Sequence, residues 1–256
     1  LSSPNINQQA AINATEGPVL IIAGPGSGKT FTLVERIVNL IVNHGASAES
    51  LFVVTFTEKA ARELTTRISN RLLELSISFN LNEMYLGTFH SICLRILKEY
   101  REHTRLKRSF TLFDQFDQQY FLYQRLNEFK DIEDVELLIG EERSGRWKRS
   151  NALTKWLNKA SEEALDIETL KKAEEAEMSA LGYCLEKYHE LLLEHNSLDF
   201  SGIQYEALRL LKENPNALEE IQSQITHLMV DEYQDTNTIQ EQILFLLAGK
   251  KQNLCV

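Results

Sequence analysis

Lys29 closes a run of small, flexible residues, AGPGSGKT at 23–30, and Asp231 and Glu232 stand side by side in HLMVDEYQDTN at 227–237. Two adjacent carboxylates repel each other when ionised, so they require a positive partner. The run around Lys29 supplies one. Gly24, Gly26 and Gly28 let the loop curl until its backbone N–H groups converge on an anion, with Ser27 inside the same curl. A helix opening at Lys29 adds the partial positive charge of its N-terminus. Lys29 then reaches the outer phosphates of a nucleoside triphosphate, and the Thr30 hydroxyl serves as a ligand for Mg²⁺. On this reading Asp231 holds the metal through water, and Glu232 polarises the water that attacks the γ-phosphate.

Such chemistry needs elements that bring two distant segments to one edge. VLIIA (19–23) reads as a buried strand ending at the Gly/Pro cluster, and Leu33, Ile37, Leu40 and Ile41 follow at helical spacing. LFVVTF (51–56) is a second strand, followed by Ala61, Leu64, Ile68 and Leu72 on one helix face. MYLGTF (84–89), THLMVD (226–231) and NLCV (253–256) are further strands, and Ile92, Ile96, Leu97 and Tyr100 mark another helix. Strands alternating with amphipathic helices predict an α/β fold, a parallel sheet with helices on both faces. In a sheet of that kind ligands bind beyond the carboxyl ends of the strands, so the Lys29 loop and the acid pair can share one site.

The rhythm fails between about 104 and 192, where no strand pattern is present and Leu181, Leu185, Tyr188 and Leu192 repeat helically. This predicts an inserted all-helical subdomain over 104–192, with the sheet domain formed by 1–103 and 193–256. Phe113, Phe116, Tyr120, Phe121 and Tyr123 are assigned to the insertion's own core. The chain stops within a predicted strand, which leads us to expect a larger protein.

The formal charge of −10 argues against a basic coat for nucleic acid and leaves room for a local groove. Three scattered cysteines, without a C-x-x-C pair, disfavour a disulfide framework or a zinc site. No apolar run approaches membrane-spanning length, and a cytoplasmic location is expected.

Seven segments in order resemble the UvrD/Rep/PcrA-type superfamily-one DNA helicases: QQAAI (8–12), AGPGSGKT (23–30), VTFTEKAARE (54–63), GTFHS (87–91), FTLFDQFDQ (110–118), LDF (198–200) and VDEYQDTNTIQ (230–240). The resemblance implies a RecA-like P-loop domain with ATP and Mg²⁺ as its ligands. It also implies a motor that moves along single-stranded DNA, 3′ to 5′, and opens duplexes at single-strand/double-strand junctions. A second motor domain, not within these 256 residues, is implied as partner. Gln8 matches the glutamine that recognises adenine; by pattern alone it is equally a polar helix-start residue. Phe56 matches a base-stacking position, although its pattern favours a core residue. Thr88 and His90 match strand-contacting positions, and an isolated histidine there is otherwise structural. Gln234 and Asp235 match the region that couples nucleotide state to DNA, with helix capping as the plainer role. Glu58 stands where asparagine is common, and Phe31 where arginine is frequent. Two other readings stay open: a nucleotide- and DNA-binding module without motor activity, and the motor part of a helicase–nuclease.

Overall fold

The computed structural model describes residues 3–256, which divide into two compact units, one of 3–95, 211–236 and 241–256, the other of 96–210 and 237–240. In chain order the elements are α1 (Ile6–Asn13), α2 (Lys29–His44), β1 (Leu51–Thr55), α3 (Glu58–Glu74), β2 (Tyr85–Thr88) and α4 (Phe89–Glu99). They continue with β3 (Thr111–Leu112), α5 (Gln115–Arg125), α6 (Val135–Ile139), α7 (Arg146–Glu162), α8 (Ile167–Lys171), α9 (Ala176–Glu194), β4 (Ser197–Leu198) and α10 (Phe200–Glu213). The last are α11 (Pro215–Gln224), β5 (His227–Val230), α12 (Thr238–Ala248) and β6 (Leu254–Cys255).

The first unit is built on a parallel sheet of order β2-β1-β5-β6. Val53 lies beside Leu86 on one side and Met229 on the other, which brings the carboxyl ends of β1, β2 and β5 to one edge. β1 is buried along its whole length. Leu51 and Val53 join Met229 against Ile37 and Leu40 of α2 and Leu64 and Ile68 of α3. The strand period of two turns Phe52 and Val54 to the opposite face, where they are also covered. Continuous apolar runs, without alternation, follow from that double burial.

The strand expected at 19–23 is reduced to an extended segment. Val19 bridges Cys255 in parallel, with Val19 N–H donating to Leu254 O (2.9 Å) and Ile21 N–H to Val256 O (2.7 Å). Its burial was overestimated: Leu20 and Ile22 are 68% and 89% exposed, while Val19 and Ile21 turn inward onto the core. An apolar run reports a strand, and the sheet's edge decides how many of its faces are covered.

The second unit is helical apart from the short parallel pair β3–β4, a feature the sequence pattern missed because each strand spans two residues. Its core joins Leu122, Phe129, Leu153, Leu157, Cys184 and Leu185, each at most 1% exposed. It takes in the end of α4 and most of α10, so it is longer than the expected 104–192. A helix that begins on the sheet and continues into the next core carries no boundary signal in its periodicity. The aromatic residues assigned to this core divide: Phe121 is buried and Phe113 packs against it, but Phe116 is 63% and Tyr120 45% exposed. At i and i+4 those two share a helix face, and that face is turned to solvent.

Candidate nucleotide-binding site

Residues 23–30 leave the edge segment and enter α2. Gly28 holds φ +85° as the N-cap of α2, and Gly26 holds φ +73°, both left-handed positions that a side chain would strain. At Gly28 a Cβ would also lie 2.8 Å from the Gln8 amide nitrogen. Gly24 has open space around it and no such φ, so the turn itself does not demand glycine there. The first ladder bond of α2 runs from Thr32 N–H to Gly28 O (2.9 Å), which leaves the N–H groups of Lys29, Thr30 and Phe31 at the open end of the helix. The Ser27 hydroxyl and N–H both donate to Gly24 O, closing the loop on itself.

Lys29 and Glu232 meet. The Lys29 ammonium lies 3.8 Å from the Glu232 carboxylate and 3.4 Å from Ala23 O. The acid pair follows β5, where Asp231 N–H continues the sheet by donating to Val54 O (3.0 Å). Burial, and then the charge of Glu232, push the Asp231 carboxyl above its usual range, against the pull of Lys29. Glu232 takes a left-handed backbone, φ +56°, an arrangement costing about 1–2 kcal/mol in a residue with a side chain. From that turn the Glu232 carboxylate reaches Lys29. Gln234 Nε2 donates to Glu232 Oε2 (2.6 Å), and Asp235 N–H to Glu232 O (2.9 Å).

Lys29, Leu33, Val230, Asp231, Glu232 and Tyr233 line a cavity of about 340 Å³. A second hollow, of about 330 Å³, opens on the other side of Lys29 and Ile22, where Asn7, Gln8, Ala11 and Ser27 line it. One hollow presents a cation and acids, and the other presents amides. Tyr233 is a member of the site that the sequence did not single out. Its hydroxyl donates to Glu241, and burial followed by that carboxylate pushes it up to about 12. Its position next to the acid pair was the available signal.

Gln8 sits on α1, which α2 holds in place. Arg36 Nη1 donates to Ala11 O (2.6 Å) and Asn39 Nδ2 to Ile12 O (3.1 Å), securing the carbonyls at the end of that helix. Gln8 Oε1 accepts from Asn5 N–H (2.9 Å) in a capping box, and its Nε2 donates to Ser27 O (2.9 Å). Here the amide both caps its own helix and ties it to the phosphate loop.

The oxygen donors near Lys29 are of a chemical type that would suit a divalent cation. Thr30 contributes a hydroxyl at the first turn of α2 and Asp231 a carboxylate on the cavity wall, hard oxygens of the kind Mg²⁺ takes together with water and phosphate. A divalent cation would relieve the repulsion that raises Asp231.

The residues matched to DNA contacts gather at the carboxyl ends of β1 and β2. Phe56 is half-buried and meets Phe89 edge-on, centroids 5.5 Å apart. Thr88 is buried; its hydroxyl donates to Glu58 (3.3 Å) and accepts from Ser91 N–H (3.2 Å). The unusual Glu58 thus has a definite task in holding Thr88. His90 is partly buried, which lowers its basicity and favours the neutral ring. Among the described residues no helix is long and apolar enough to cross a membrane.

Comparison with known proteins adds an independent finding. The profile of the UvrD/REP helicase N-terminal domain matches residues 4–256. The ATP-dependent DNA helicase PcrA of Staphylococcus epidermidis is 32% identical over 252 residues, covering 98% of this chain and 32% of that protein. The PcrA of Staphylococcus aureus is 32% identical over 259 residues, covering 100% of the chain and 33% of that protein. The chain therefore spans about a third of the length of these relatives.

Proposed function

We propose, for a chain that belongs to the UvrD/REP helicase family through its N-terminal domain, that it is the ATP-binding part of a DNA-translocating motor. The reading rests on one observation above the others: Lys29 and Glu232 lie 3.8 Å apart on the wall of a single cavity that Asp231 also lines. The loop N–H groups and Lys29 bind and orient the triphosphate. Glu232 accepts a proton from the attacking water, and Gln8, released from Ser27, reads the adenine edge. Thr30 and Asp231 would hold Mg²⁺, which would supply positive charge against the phosphates. Gln234, already on the Glu232 carboxylate, reports whether that carboxylate is engaged, and Asp235 fixes the turn between them.

DNA is read as a single strand crossing the ends of β1 and β2. Phe56 offers a face to a base, His90 a neutral ring to phosphate or sugar, and Thr88 holds the turn beside them. Movement from 3′ to 5′ with duplex opening, in concert with a second motor domain, is the activity in which these contacts would serve. Mg-ATP binding to the chain tests the core of the reading. Lys29→Ala should abolish it and Glu232→Gln should preserve it; equal affinity of Lys29→Ala and parent would sink the assignment.

A further inference from the structure

Four aromatic rings form an open platform on the helical unit. Phe116, Tyr120 and Tyr123 descend one face of α5 at i, i+4 and i+7, and Trp147 joins them from the start of α7. Phe116 and Tyr120 are 6.1 Å apart with planes 5° from parallel, and Tyr120 and Tyr123 are 6.2 Å apart at 14°. Trp147 closes the group at 6.0 Å from Phe116 and 5.5 Å from Tyr123. Phe116, Tyr120 and Trp147 are 63%, 45% and 44% exposed, so the rings are not the unit's core. The helices beneath them are fixed. Phe121, Leu122, Leu153 and Leu157 are buried between them, and Arg146 donates to Tyr123 O (2.6 Å) and Gln124 O (2.9 Å) at the end of α5.

The charge around the platform selects its occupant. RSGRWKRS (143–150) carries four cations and no acid in a chain of net charge −10. Glu141 neutralises Arg143 at 2.7 Å, and the Arg146 guanidinium lies 5.5 Å over the Tyr123 ring. Lys148, next to Trp147, is exposed, and Arg149 has a buried Nε without a hydrogen-bond partner. Two exposed, nearly parallel rings on α5, with Trp147 tilted at 45° to Phe116 beside them and the exposed Lys148 next to it, suit a polymer of flat bases on an anionic backbone.

We propose that Phe116, Tyr120, Tyr123 and Trp147 form a second binding surface for single-stranded DNA, on which bases stack while the exposed Lys148 meets the phosphates. The proposal rests on the DNA-motor reading and adds to it a contact outside the nucleotide-binding unit. Stacking on such rings tolerates any base sequence, which suits a protein that moves along its ligand.

The test uses the whole chain and fluorescently labelled oligothymidylate. Phe116→Ala/Tyr120→Ala should weaken binding about tenfold or more, in line with losing one or two stacked bases, and leave Mg-ATP affinity and the thermal midpoint unchanged. In a Trp156→Phe background, oligothymidylate should quench the remaining Trp147 fluorescence, a readout that needs no change at the rings on α5. Parent binding that survives the double substitution within twofold, with no Trp147 quench, overturns the platform and leaves the motor reading standing. A parent chain that binds no single strand overturns both. If the double substitution instead converts a self-associating chain to a monomer without altering DNA affinity, the surface joins copies of the chain and the proposal falls.

Discussion

Asp199 and Asp231 each follow directly on a short strand, one in the helical unit and one in the sheet unit, and burial raises both carboxyls. Their surroundings then diverge. Asp199 accepts from the Tyr188 hydroxyl, the Gln118 amide and Gly202 N–H, so α5, α9 and α10 converge on one carboxylate. Asp231 has a like charge as its neighbour, with Glu232 N–H and a more distant Lys29 as compensation. A buried acid with three donors ties elements together. An acid beside another acid, on the wall of a cavity, is the kind of perturbed group that marks a candidate functional site. The same residue type after the same kind of element is therefore saturated with donors in one unit and, on the proposed function, serves chemistry in the other.

The contrast can be broken from either end. With a second motor domain supplied, Glu232→Gln should lower ATP turnover about 10²–10⁴-fold and leave the unfolding midpoint near that of the parent. Turnover within a few-fold of the parent would remove Glu232 as the base. Asp199→Ala should do the reverse. It strands the Tyr188 and Gln118 polar groups in the interior and should cost about 3 kcal/mol or more in denaturant unfolding, with Mg-ATP affinity retained in the folded fraction. Unchanged stability would show that the three donors find other partners.

Smaller effects sharpen the comparison through pH. Burial, reinforced by Arg105 and Arg209 and opposed by Glu206, depresses His189 in the helical unit to about 4 from its ordinary 6.5. The unfolded chain takes up that proton first, so stability should fall as pH drops from 6.5 towards 4 and then level off. His189→Phe should flatten this part of the unfolding profile; an identical profile would show that other groups cause it. The smallest effect concerns Asp231, whose folded carboxyl titrates above the 3.8 of an unperturbed aspartate. Its charge weakens the fold as pH rises through that interval. Asp231→Asn should therefore melt slightly higher than the parent at pH 7 and match it at about pH 3, with Mg²⁺-dependent nucleotide binding reduced. A lower melting point at pH 7 would mean that Asp231 is satisfied without a ligand.

Much of the sheet unit was legible in the sequence. LFVVT, YLGT and HLMV are strands at the expected places, and the helical stripes Leu33–Ile41 and Ala61–Leu72 are buried. The helical unit was legible in kind, since Leu181, Leu185, Tyr188 and Leu192 all face its core. Of its aromatic residues Phe121 is in the core as expected, whereas Phe116 and Tyr120 face solvent, because an apolar face has the same period whether it meets a core or solvent. Gln8 shows the corresponding gap at the site. The family resemblance implies an adenine contact for its amide and the pattern equally a helix-start residue, and only the structure discloses its bonds to Asn5 and Ser27.

Residue type and order by themselves determined the local chemistry. A glycine-bearing loop before a helix must gather N–H groups, and an apolar run beside alternating helices must enter a parallel sheet; both are short-range consequences of backbone sterics and burial. The tertiary structure alone decided which charges meet and which faces remain open. Lys29 finds Glu232 across two hundred intervening residues through strand order, and the left-handed turn at Glu232 aims the carboxylate. Such distances depend on the packing of the whole core, which no local spacing encodes.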